Sequence, residues 1–80
     1  MKKEQGITLL KSGQYEEAYA VYTEALTVDP DNVDLNSKLY CNRALAGSKI
    51  GKMQEAIEDC TRALELDPNY ARALQRRAKL

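Results

Sequence analysis

The sequence predicts an all-α fold, a helix-turn-helix solenoid of five helices: two full repeats plus the first helix of a third. Three observations predict it. Ala18 and the run Tyr22-Thr23-Glu24-Ala25-Leu26-Thr27-Val28-Asp29-Pro30 align without a gap on Ala56 and Cys60-Thr61-Arg62-Ala63-Leu64-Glu65-Leu66-Asp67-Pro68, at an offset of 38 residues. Gly13 falls on Gly51 and Glu17 on Glu55 in the same register. Apolar residues recur at i, i+3, i+4 and i+7 through both aligned segments, the spacing of one helical face. Each segment then stops at Asp-Pro, because proline cannot continue a helix and disfavours α geometry in the residue before it.

Taken in order, a first helix is expected over roughly Lys2–Lys11 and a second from Gln14 to Val28. The second carries Tyr15, Ala18, Tyr19, Tyr22, Ala25 and Leu26 on one face. Ser12-Gly13 links the two, glycine permitting the positive φ at which helices often end. A third helix is expected over roughly Ser37–Ile50, then the turn Gly51-Lys52. The fourth runs from Met53 to Leu66 on Ala56, Ile57, Cys60, Ala63 and Leu64. The fifth begins after Asn69-Tyr70 and runs to Leu80. Eighty residues make one small domain, with repeat 1 at about 1–32, repeat 2 at about 37–70 and a half-repeat at 71–80. A chain of this size buries only about 60% of its unfolded surface, so each apolar face needs a neighbour.

Composition excludes several classes. With 44% hydrophobic and 30% charged residues the chain is too apolar to be disordered. It has no His, which removes the commonest metal ligand and the usual general base near neutral pH. Cys41 and Cys60 lack CxxC spacing, so no metal site is expected and both read as small buried residues. No apolar run approaches the roughly 20 residues of a membrane span, and Met1-Lys2-Lys3-Glu4-Gln5-Gly6 lacks the core of a secretory signal. The expectation is a non-enzyme without cofactor or metal, in the cytoplasm and, with Arg76-Arg77 as a weak basic signal, also the nucleus.

Twelve bases balance twelve acids, yet they are segregated. The first helix of each pair holds Lys2, Lys3, Lys11, Lys38, Arg43, Lys49, Arg72, Arg76, Arg77 and Lys79 against Glu4 alone. The second helices hold Glu16, Glu17, Glu24, Glu55, Glu58, Asp59 and Glu65 against Arg62 alone. The acid pairs Glu16-Glu17 and Glu58-Asp59 read as solvated surface charge. A basic face attracts an acidic ligand. Tyr40 is the one aromatic expected near it, so the stacking platform of a nucleic-acid binder is missing. Tyr15, Tyr19 and Tyr22 lie at core spacing.

The layout resembles the tetratricopeptide repeat (TPR) family, whose unit is about 34 residues. Gly6, Tyr15, Ala18, Tyr22, Ala25 and Pro30 match its signature in the first unit, and Tyr40, Ala44, Gly51, Ala56, Ala63 and Pro68 in the second. The longer period implies about four extra residues around Val33–Asn36, lengthening the start of the third helix. The resemblance implies that the first helices line a concave face.

A narrower resemblance is to the TPR domains of heat-shock co-chaperones, which hold the C-terminal Glu-Glu-Val-Asp of Hsp70 and Hsp90 in a two-carboxylate clamp. Lys38 to Leu66 looks especially like the middle TPR domain of J-domain co-chaperones that carry TPR repeats. By that resemblance Lys3 takes the first Lys position, Asn42 the third-helix Asn, and Arg72 and Arg76 the fifth-helix pair, Arg72 in place of Lys. Ile7 stands where the family has Asn. With Lys49 added from the basic face, the expected peptide-binding set is Lys3, Ile7, Asn42, Lys49, Arg72 and Arg76. These residue types fit a carboxylate ligand, since guanidinium forks onto its oxygens and an amide donates without adding charge. Losing an amide at Ile7 costs about 1.5–3 kcal/mol, which leaves a scaffold for some other peptide or helix as the alternative. Ile7 also fits the apolar spacing Ile7-Leu10. Ala71, Leu74 and Ala78 form an apolar stripe on the last helix, with one side of that helix expected against the fourth and weak self-association expected through the rest.

Overall fold

The computed structural model describes residues 2–79, with side chains from Lys3 onward. Five helices follow one another: α1 Lys2–Lys11, α2 Tyr15–Ala25, α3 Val33–Lys49, α4 Met53–Leu66 and α5 Ala71–Lys79. The described residues contain no strand. Each helix packs on the next, and α3 also touches α1 and α5. Among the described residues α2 and α4 do not meet. Odd-numbered helices that touch and even-numbered helices that splay apart bend the stack, and the concave side is the one lined by α1, α3 and α5.

The hairpin turns follow from the glycines. Gly13 has φ 79° and Gly51 φ 83°. After α1 the N–H of Gln14 donates to Leu9 O (2.9 Å) and that of Gly13 to Leu10 O (3.1 Å), the paired bonds of a left-handed helix end. Lys52 N donates to Gly47 O (2.8 Å) at the matching place after α3.

α2 stops at Ala25, three residues before the expected Val28. Its last turn tightens instead: Thr27 N and Val28 N donate to carbonyls three residues back, and Thr27 Oγ1 donates to Glu24 O at 2.7 Å. α3 begins four residues before Ser37, as the extra residues imply. Asn32 caps it, its Oδ1 accepting from Leu35 N at 3.1 Å, and Asn36 Nδ2 donates to Asp29 O (2.8 Å), tying the helix to the preceding loop. Asp67 adopts φ −140°, ψ 90°, the extended geometry that Pro68 imposes. Leu80 lies outside the described residues.

The core is made mostly of small side chains. Ala18, Ala44, Ala46, Ala56, Ala63, Ala73, Cys41 and Cys60 are fully buried, with Tyr22 and Leu39 the only large apolar residues beside them among the described residues. Small contacts let the helix axes approach closely, so single atoms matter (Gly6 is the sharpest case). Both cysteines are free and buried. Burial pushes the Cys60 thiol up to about 11, with Cys41 adding to the effect.

Two surface readings are corrected here. Asp59 is not solvated but 4% exposed, because it faces α3 across the tightest helix pair. Its carboxylate accepts from Arg43 Nε (2.9 Å) and Nη2 (2.7 Å). Arg43 consequently leaves the basic face. Its guanidinium sits 5.5 Å from the ring centroids of both Tyr19 and Tyr40, and burial, which opposes its charge, is outweighed by Asp59. On α5 it is Ala73 that packs, against Cys41 and Ala63, while Ala71, Leu74 and Ala78 are all exposed. The stripe therefore lies further from α4 than its spacing suggests.

Candidate functional site

Three adjoining cavities run along the concave side. The first, about 590 Å³, is bordered by Lys3, Ile7, Lys38, Asn42, Tyr70, Ala71, Arg72 and Gln75. The second, about 500 Å³, is bordered by Ile7, Leu10, Lys11, Asn42, Leu45, Arg72, Gln75 and Arg76. The third, about 360 Å³, is bordered by Leu45, Ser48, Lys49, Met53, Arg72, Gln75, Arg76 and Lys79. Shared walls make them one groove. Almost every lining residue comes from α1, α3 or α5.

The groove is strongly basic. Lys3, Lys11, Lys38, Lys49, Arg72, Arg76 and Lys79 line it, and no carboxylate does. Lys38 is paired on its outer side with Asp34 at 3.3 Å, an exposed contact of little strength. Among the described residues, Lys3, Lys49, Arg72 and Arg76 have no carboxylate partner. Arg76 Nε is withdrawn from solvent yet without an acceptor. Cations held close together without counter-charge form a site for an anion.

The six residues expected to bind are brought together unequally. Ile7, Asn42 and Arg72 share the first two cavities. Lys3 joins them only in the first and Arg76 only in the second. Lys49 lies further along, sharing the third cavity with Arg72 and Arg76. Ile7 is half-buried and borders the groove; Leu10 packs against the core beside it.

Asn42 is 9% exposed on the groove floor, with the Tyr22 hydroxyl beneath. That hydroxyl closes no hydrogen bond among the described residues. Burial pushes it up to about 12, an effect the nearby Asn42 amide partly offsets.

Tyr40 is not in the groove. It borders a small cleft of about 180 Å³ with Leu26, Pro30, Asn36, Arg62, Glu65 and Leu66. The groove aromatic is Tyr70, whose hydroxyl is raised by burial and by Cys41. Sequence reasoning counted Lys38 among the basic-face residues without singling it out as a binding residue, and missed Gln75. Helical spacing singles out both: Lys38 lies four residues before Asn42 and Gln75 three after Arg72, each on the same helical face.

Similarity to known proteins agrees with this geometry. The human "DnaJ homolog subfamily C member 7" is 53% identical over 78 residues, covering 98% of this chain but only 16% of the relative. The chain thus spans about one sixth of that protein. Among solved structures, the second TPR of Spaghetti (RPAP3) bound to the HSP90 peptide SRMEEVD superposes with a TM-score of 0.87 at 40% identity, covering 98% of this chain and 68% of the other. The second TPR domain of human RPAP3 in complex with the HSP70 peptide SGPTIEEVD gives 0.83 at 41%, covering 95% and 60%. A TPR repeat model matches residues 6–46 and a tetratricopeptide repeat model residues 37–70. With both models falling on the helices that build the groove, the chain belongs to the tetratricopeptide repeat family.

Proposed function

We propose that the chain is a protein-interaction module, a co-chaperone adaptor whose groove captures an acidic C-terminal peptide of the Glu-Glu-Val-Asp type carried by Hsp70 and Hsp90. One observation carries the reading: a groove lined by unpaired cations from three helices, with the Asn42 amide on its floor and no acid in its wall. The two RPAP3 structures, which hold such peptides, support it by likeness of fold. Arg72 and Arg76 would fork onto the carboxylates and Lys3 would add charge from the opposite wall. The module acts by binding, with no catalytic residue assigned. Buried free thiols suit a reducing, cytoplasmic or nuclear setting. No helix among the described residues is long and apolar enough to cross a membrane.

A second reading, a scaffold for some other peptide or helix, is favoured by Ile7, which puts alkyl surface where a carboxylate would want a donor. One pair of variants separates the two. Arg76→Ala and Arg77→Ala remove the same charge from neighbouring positions, but only Arg76 borders the groove. Titration with a Glu-Glu-Val-Asp peptide should show at least about a tenfold loss for Arg76→Ala, the worth of a hydrogen bond to a charged group. Arg77→Ala should lose less than about threefold, a screened surface charge. Equal losses would mean diffuse attraction and remove the clamp.

A further inference from the structure

We propose that Gln75 supplies the side-chain amide that the groove lacks at Ile7, donating its Nε2–H to the main-chain carboxylate of a bound acidic C-terminus. The inference rests on the proposed function and names a ligand-binding residue outside the six expected from the sequence.

Ile7 and Gln75 border the same two cavities, together with Asn42 and Arg72. The position that lost a donor and a residue that owns one therefore face the same space. Among the described residues only Gln75 and Arg72 border all three cavities, so Gln75 stands where they adjoin. Gln75 is exposed, and its side chain makes no hydrogen bond among the described residues, so both amide protons are available. It is held on the groove side of α5 three residues after Arg72 and one before Arg76.

The chemistry favours an amide at this place over another cation. Arg72 and Arg76 already supply charge one turn apart, and a cation at position 75 would stand three residues from Arg72 and repel it. An amide adds direction at no electrostatic cost. The terminal carboxylate would then be gripped by Asn42 from α3 and Gln75 from α5, with Ile7 packing against the peptide's aliphatic atoms. The missing donor is replaced from the opposite wall.

Gln75→Met keeps the length and removes both donors, and Ile7→Asn restores the donor on α1. Binding of a peptide ending in Glu-Glu-Val-Asp with a free carboxylate is measured for the wild type, the two single variants and the double variant. The expected result is at least about a tenfold loss for Gln75→Met alone. In the Ile7→Asn background the same change should cost less than about threefold, because either amide serves the one carboxylate. Ile7→Asn alone should tighten binding only slightly. Thermal melting of Gln75→Met should match the wild type, since Gln75 is exposed. A loss below about threefold in the wild-type background, or the same loss in both backgrounds, would overturn the role of Gln75 while leaving the groove reading intact. A wild type that binds no such peptide would overturn both.

Discussion

A β-carbon added at Gly6 would lie 2.5 Å from Tyr22 Cζ and 2.9 Å from its hydroxyl oxygen, closer than real atoms come. Tyr22 is fully buried and cannot swing aside into solvent. Gly6→Ala should therefore destabilise the domain by about 1–3 kcal/mol through overpacking, measured by urea unfolding. A change below about 0.5 kcal/mol, the range of ordinary surface substitutions, would show that the ring has room. Because Tyr22 underlies Asn42, the same substitution should weaken peptide binding as well. Gly6 and Tyr22 were both legible in the sequence as signature positions. Their direct contact was not, since spacing names a face but not which atom on it is touched. Ile7 shows the same limit from the other side: periodicity alone allowed both core and groove, and its place beside the groove depends on α3 and α5.

At the scale of elements, α3 is the keel. It contacts every other helix, and its pairing with α4 is sealed by Arg43 and Asp59, whose side chains are 19% and 5% exposed. Such a pair is costly to break from one side, because the half-buried Arg43 would lose its counter-ion and keep only the Thr23 hydroxyl and the two rings. Asp59→Ala should cost about 1.5–3 kcal/mol in chemical unfolding, the worth of a hydrogen bond to a charged group. Arg43→Met combined with Asp59→Leu should recover most of that, as two packed apolar groups replace two ions. A cost under about 1 kcal/mol for Asp59→Ala would show the pair to be as weak as a surface contact.

Helix order was legible because the determinants are local: Gly13 and Gly51 at the turns, Asp-Pro at the repeat ends, the 38-residue offset. The early end of α2 was not, since Thr27 stabilises a tight last turn through a side-chain bond that periodicity does not register. Nor was the Arg43–Asp59 bond, which joins residues 16 apart on different helices. Counting charge by helix placed both on the wrong surfaces.

For the whole molecule, the segregation of charge survives as a groove of cations on one side, although Arg43 has left it and Asp34 has joined α3. Lys3, Asn42, Arg72 and Arg76 were named by resemblance alone, and the stack brings them to one groove while spreading them over its three adjoining cavities. Gln75 was within reach of helical spacing but not singled out, whereas Tyr70 escaped because it lies outside the helices and its place depends on how α5 leans on α3. The central claim is that this groove grips a chain end. Isothermal titration of the protein with a Glu-Glu-Val-Asp peptide, once with a free C-terminal carboxylate and once amidated, tests it most directly. The two peptides differ in a single carboxylate. The groove predicts that amidation weakens binding by at least about tenfold, the loss of a charge-assisted hydrogen bond. Equal affinity for the two would contradict it, and would mean that the cations attract acidic chains without recognising where they end.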